Sequence, residues 1–317
     1  MRLIFMGSGA FATPTLRWLH DSEHQVAAVI TQPARGSGRG RRVARTPVRA
    51  VADELGFRSI EVENINDQRV TDEIQALDAD LGLVIAFGQK IHQPLRESWP
   101  GGCINLHASL LPRYRGAAPI NWAISKGETT TGCTVFRLVD RMDAGPILSA
   151  TQTHIGGTET AGELHDRLAE LGIETVRAAL NKFADGHVPP GTPQDDSLAT
   201  PAPKLDKNDG DIRFDQSARR IVCHIHGMTP WPGARAKFNS RLDRWENVTI
   251  LRARVVEKAS RKNIPAGTVT DEKLITTADE DFEILEIQPS SGRIMSWRDY
   301  VNGRQVGPGD RFTSPRS

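Results

Sequence analysis

Short apolar runs alternate with amphipathic segments through the first hundred residues, and this alternation limits the possible folds more than any other feature of the chain. RLIFMG, QVAAVIT and LGLVIAFG are strand-sized and apolar, whereas FATPTLRWLHDS, TPVRAVADELG and the text from Val70 to Leu77 have helix-like patterning. Such text predicts a parallel sheet covered by helices. In open sheets of this kind ligands bind beyond the carboxyl ends of the strands, so the loops after the apolar runs are the expected functional rim.

The pattern changes after Asp185. DGHVPPGTPQDDSLATPAPK, ending at Lys204, holds five prolines and two glycines and reads as an extended linker. Short β-like runs follow (ARAKF, NVTILRARVV, GTVT, KLITTA, FEILEIQ), preceded by one helix from about Ser217 to His226 that stops at Gly227. A small β-rich domain, read as a barrel, is the expectation. The chain of 317 residues is thus divided into 1–188, a linker 189–204, and 205–317. No apolar run is long enough for a membrane span, and the N-terminal text lacks a secretory or transit pattern, so a cytoplasmic protein is expected. Cys103, Cys133 and Cys223 lie far apart with no C-x-x-C spacing, which argues against a disulfide framework or a zinc site.

The formal net charge is only +1, but it is unevenly spread. Arg35 to Arg45 reads RGSGRGRRVAR, five arginines and three glycines without an acid, and 217–262 holds eleven basic residues against three acidic ones. The first patch follows the second predicted strand and so lies on the rim. Solvated face, phosphate cradle and nucleic-acid contact all fit such charge.

Three motifs invite chemistry that the surrounding residues do not support. Gly7-Ser8-Gly9-Ala10-Phe11-Ala12 matches a dinucleotide turn, yet Ala28 to Gln32 provides no acid for a ribose; an NADP-dependent oxidoreductase using Arg35 remains an alternative. Ser109 beside His107 is not in a nucleophile elbow, which disfavours a serine hydrolase. His224 and His226 have only Cys223 nearby as a further ligand, so a structural role near a helix end fits better than a metal.

GCINLHASLLPRYRGAAPI, from Gly102 to Ile120, is chemically the richest stretch. On a strand, Asn105 and His107 project from one face while Ile104 and Leu106 face the other. Asp143 lies in a glycine-containing loop after the next apparent strand, which, if parallel, returns it to the same rim. A carboxylate beside an imidazole fixes its tautomer and favours its charged form, and an imidazolium plus an amide N–H can hold an oxygen that becomes negative. The set suits acyl transfer to an amine without a covalent enzyme intermediate.

The run Asn105-Leu106-His107-Ala108-Ser109-Leu110-Leu111-Pro112 with Asp143 resembles the folate-dependent formyltransferases. The Thr31-Gln32-Pro33 entry into Gly38-Arg39-Gly40, the stretch Arg113 to Ile120, and Pro230-Trp231-Pro232-Gly233-Ala234 resemble the methionyl-tRNA formyltransferase family within them. Two positions depart from that family's usual pattern: Gly9 stands where it has proline, and Ala144-Gly145-Pro146 where it often has Thr-Gly-Asp.

The resemblance implies a Rossmann-like open parallel sheet followed by a smaller OB-like β-barrel that binds tRNA. It further implies formyl transfer from 10-formyltetrahydrofolate to initiator methionyl-tRNA, with no metal, by a monomer. Asn105, His107 and Asp143 would be catalytic; Phe87, Gly88, Ser109, Leu110, Leu111, Pro112 and Asp140 would bind the folate. Arg35, Arg39, Arg41, Arg42 and Arg45 would contact tRNA, in a loop expected to be mobile until tRNA orders it. A UDP-amino-sugar formyltransferase is the nearest alternative, and a nonenzymatic RNA-binding module would leave Asn105, His107 and Asp143 without purpose.

Overall fold

A seven-stranded sheet organises the first part of the chain, in the spatial order Ile147–His154, Thr130–Arg137, Cys103–His107, Leu81–Ile85, Arg2–Gly7, Gln25–Thr31, Ser59–Glu61. The five strands from Cys103–His107 to Ser59–Glu61 run parallel to one another. Their apolar runs are buried on both faces; Leu3, Ile4, Phe5, Leu81, Leu83 and Ile85 are all 0% exposed. Helices Thr13–His20 and Pro47–Glu54 match the amphipathic text, the second capped by Thr46, whose side chain accepts the Arg49 N–H.

One expectation about this sheet fails. Thr130–Arg137 runs antiparallel to Cys103–His107, pairing His107 with Thr134 and Ile104 with Arg137. It therefore ends at the opposite edge, and the following loop must travel back to bring Asp143 to the rim. Apolar strand text alone does not encode direction, because a strand buried on both faces reads the same either way. The twenty-residue helix Ala161–Leu180 is also absent from the sequence reading. Gly172 permits its close approach to the sheet, since a Cβ there would lie 2.6 Å from Leu106 Cδ2.

The computed structural model describes residues 1–37, 42–259 and 264–316. They divide into two compact units: 1–116, 132–153 and 165–201 form the first, and 117–131, 154–164 and 202–317 the second. In the second, an antiparallel sheet has the order Met295–Ser296, Glu280–Pro289, Trp245–Ala259, Ala234–Asn239, Arg311–Thr313. Its named strands form an open series among the described residues. The core beneath it gathers Phe214, Phe238, Phe282 and Phe312 with Ile221 and Ile225 of helix Ala218–Gly227. That helix begins where the sequence places it, capped by the Ser217 side chain on the Arg220 N–H. Helix Trp297–Arg304 closes the unit's apolar side with Trp297 and Tyr300.

Candidate active site

Cys103–His107 crosses the middle of the first unit's sheet, which buries His107 to 7% exposure while Asn105 stays partly accessible. The chain then leaves the sheet in a short, heavily tied loop. Ser109 Oγ donates to the Arg113 carbonyl (2.7 Å), and Thr134 Oγ1 donates to the Ser109 carbonyl (2.7 Å) while accepting from the Leu111 N–H (3.2 Å). Tyr114 has a φ of 60°, and its N–H donates to Thr200 Oγ1 (2.9 Å). These ties aim the Tyr114 carbonyl back at His107.

That carbonyl decides the state of the imidazole. A carbonyl oxygen can only accept, so His107 Nε2 carries a proton and donates to it at 2.8 Å. Nδ1 then faces Asp143, with Oδ2 at 3.8 Å, too far for a direct hydrogen bond but close enough to stabilise charge on the ring. The ring is also held edge-on to Phe136 (centroids 6.4 Å, planes at 87°). Asn105 makes no side-chain hydrogen bond among the described residues, which leaves its amide for a ligand.

Asp143 reaches His107 by a route the antiparallel strand makes necessary. Its own φ is 51°, and Gly145 lies so close to the preceding strand that a Cβ there would sit 1.7 Å from the Arg137 carbonyl oxygen. The carboxylate, 14% exposed, accepts the Gly116 N–H at 2.8 Å. Gln194 Nε2 donates to the carbonyls of both Asp143 and Gly145 (2.8 Å each), and its Oε1 accepts from Arg115 (2.8 and 3.1 Å). Asp196 pairs with Arg115 (2.8 Å) and with Arg141. Residues Gln194, Asp196 and Thr200, which sequence reasoning passed over as linker text, thus brace the site. Gly116 sits within the Arg113–Ile120 stretch that the resemblance singled out, so a signal for it existed; the Gln194 brace had none.

The remaining site candidates are placed as follows. Phe87 is 2% exposed in the core with Ile4 and Met6, and its carbonyl accepts from Gln32 Nε2 (2.7 Å); its neighbours Ala86 and Gly88 are exposed residues. Leu110 and Pro112 are half-buried and Leu111 is buried. Asp140 is exposed and paired with Arg96 (2.7 Å), whose side chain is only 5% exposed and whose guanidinium holds the Asp140 carboxyl below its usual range. Arg45 pairs with Asp53 (2.8 Å). Arg35 and Arg42 lie on a short antiparallel ribbon, Arg35–Ser37 with Arg42–Ala44; Arg39 and Arg41, with the expectation of a mobile loop tip, lie outside the described residues.

The local chemistry also disposes of the competing motifs. Ser8 and Gly9 both donate their N–H groups to the Ala86 carbonyl (3.3 and 3.1 Å), which occupies amides that a pyrophosphate would need. Ser109 Oγ is committed to a backbone carbonyl, and His107 Nε2 to another. Cys103, two residues before Asn105, is 1% exposed, and burial pushes its thiol up to about 12, so it presents no thiolate. No metal-binding cluster occurs among the described residues, and no helix among them is long and apolar enough to cross a membrane.

A family model described as "Formyl transferase" matches residues 1–180, and one described as "Formyl transferase, C-terminal domain" matches 204–305. The methionyl-tRNA formyltransferase of Citrifermentans bemidjiense is 37% identical over 312 residues, covering 98% of this chain and 95% of that protein. That of Sorangium cellulosum is 38% identical over 313 residues, covering 98% of each. The chain belongs to the methionyl-tRNA formyltransferase family. Two solved structures share the formyltransferase fold at lower identity. HypX from Aquifex aeolicus, in complex with tetrahydrofolic acid, gives a TM-score of 0.60 at 17% identity; it covers 97% of this formyltransferase, which spans 48% of HypX. An N-formyltransferase from Helicobacter canadensis, in complex with folinic acid and dTDP-3-aminofucose, gives 0.60 at 14% identity, covering 90% and 98%.

Proposed function

We propose that this formyltransferase moves the formyl group of 10-formyltetrahydrofolate to the α-amine of initiator methionyl-tRNA, the step that prepares it for translation initiation. The observation that carries the reading is the full-length likeness to methionyl-tRNA formyltransferases, 37% identity over 98% of this chain in one of them. The site supports it chemically. The neutral α-amine attacks the formyl carbon, forming a C–N bond and turning the formyl oxygen into an oxyanion. Asn105 donates to that oxygen through its amide. His107, with Nε2–H committed to Tyr114, donates through Nδ1–H as the imidazolium, and Asp143 offsets the ring's charge at 3.8 Å. Collapse breaks the bond to N10, which takes the proton released by the amine.

The folate is assigned to the turn that carries Phe87 and Gly88, to Ser109–Pro112 and to Asp140 with its loop. The arginines from Arg35 to Arg45 are assigned to tRNA. The second unit is assigned an OB-like barrel that binds tRNA: the isolated bridges Thr268–Arg311, Val269–Ile275 and Ile275–Phe282 support closure of its open sheet. A cytoplasmic monomer completes the reading, with domains at 1–188 and 205–317 joined by 189–204. No observation favours a UDP-amino-sugar as acceptor.

The test offers the purified protein 10-formyltetrahydrofolate with either methionyl-tRNA or a UDP-amino-sugar, across a salt series. Formylation of methionyl-tRNA with a KM that rises steeply with salt supports the reading, because phosphate contacts release counterions. Formylation of the sugar nucleotide alone would overturn it.

A further inference from the structure

The second unit carries a cleft of about 590 Å³ between the turn that joins Asn239 to Trp245 and the C-terminal end of helix Trp297–Arg304. Its size falls within the range of sites for small organic ligands. Trp245 forms one wall and is 64% exposed, and Leu242 at the turn is 55% exposed. Together they set exposed apolar surface at the mouth of the cleft, which is a feature of ligand-binding grooves.

The platform is fixed in place. The Ser240 N–H donates to the Arg244 carbonyl (2.7 Å), and the Arg241 N–H donates to Asp310 (2.7 Å), whose carboxylate is fully buried and also pairs with the Arg241 guanidinium. On the other wall, Glu246 accepts from Tyr300 (2.9 Å) and from Arg304 (2.6 Å), so its charge is already met. Lys237 Nζ lies 4.5 Å from the Trp245 ring centroid. Neither Lys237, whose ammonium sits over the Trp245 ring, nor exposed Arg244 has an ion pair among the described residues. Asn302 and Gln305 add side-chain amides to the lining.

An exposed indole, two cations beside it without a carboxylate partner among the described residues, and amide-bearing residues across from it match the three parts of a nucleotide: base face, phosphate and base edge. We infer that this cleft holds an unpaired nucleotide of the RNA substrate, its base stacked on the Trp245 face away from Lys237 and its phosphates met by Arg244 in the lining and by Lys237 beside the indole. The inference rests on the methionyl-tRNA reading above and adds to it a contact with the body of the RNA. A peptide partner would use the apolar face but leave the two cations without a counterpart.

The experiment compares Trp245→Ala, Trp245→Phe and the double variant Lys237→Ala/Arg244→Ala with the parent enzyme. It measures tRNA binding against salt and the KM values for methionyl-tRNA and for the folate donor. Loss of one base stack weakens binding by about ten-fold, on the scale of aromatic-to-alanine changes. Trp245→Ala should raise the KM for methionyl-tRNA by that factor with the donor KM unmoved, and Trp245→Phe should restore most of it. The double variant should flatten the log–log salt dependence by about one to two. Circular dichroism and Tm, which a merely structural role would disturb, should not change. If the parent formylates methionyl-tRNA and Trp245→Ala keeps the parental KM, this inference is wrong while the activity stands. If the parent does not formylate methionyl-tRNA, the reading beneath it fails first.

Discussion

Asp143→Asn removes one charge from the site and little else. Asparagine tolerates the left-handed φ of 51° better than most residues, and its Oδ1 can still accept the Gly116 N–H. What disappears is the attraction between the carboxylate and an imidazolium whose Nδ1 lies 3.8 Å away. At an effective dielectric constant of about 20, the gross Coulomb attraction sets an upper bound of about 4 kcal/mol. With the imidazolium holding the oxyanion, the barrier rises by up to that amount, and turnover falls by between about 10- and 10³-fold. The assay is single-turnover formylation of methionyl-tRNA at saturating donor, alongside tRNA affinity and Tm, both expected near parental values. Turnover within ten-fold of the parent, in a folded protein, would refute the electrostatic role given to Asp143.

Asn105→Ala should lower kcat by about 10²–10³ without a large change in either KM, since the amide acts on the oxyanion and not on the ground state; initial-rate kinetics check this. Gln194→Ala removes two hydrogen bonds that hold the Asp143 loop, and a drop in kcat of up to about ten-fold with an unchanged KM for methionyl-tRNA is expected from their typical net worth. His226, 3% exposed, accepts the Ala253 N–H at Nε2 (3.2 Å), and burial, helped by the Arg252 charge, pushes its pKa down from 6.5 to about 4. The neutral ring's contribution to stability is therefore full above pH 6.5 and lost as pH falls through 4, a swing of at most about 3 kcal/mol. His226→Gln keeps an acceptor but cannot titrate, so its urea-unfolding free energy should fall less than the parent's between pH 7 and pH 4.

The parallel layer was legible because buried strands and amphipathic helices have distinct periods, as in RLIFMG and TPVRAVADELG. Ser217 and Gly227 marked their helix equally well, since a cap and a stop are local chemistry. Strand direction is not local: nothing in TTGCTVFR says that it runs antiparallel to CINLH, and so the loop that carries Asp143 back to His107 could not be foreseen. The brace from Gln194, Asp196 and Thr200 was hidden for a related reason. Its partners lie far away in sequence, and proline-rich text without a period looks the same whether it spans solvent or lines a site. The first turn misled in the opposite way, because Gly7 and Gly9 match a phosphate-binding pattern while Ser8 and Gly9 spend their N–H groups on Ala86.

The account stands most directly on where the formyl group goes. In a rapid-quench experiment with 10-formyltetrahydrofolate labelled in the formyl carbon, the purified protein should pass the label to the α-amine of methionyl-tRNA. No labelled protein should appear at any time, and Asp143→Asn should slow the single phase without adding another. Label that accumulates covalently on the protein, or that reaches no amine of methionyl-tRNA, would contradict direct transfer at the Asn105, His107 and Asp143 site.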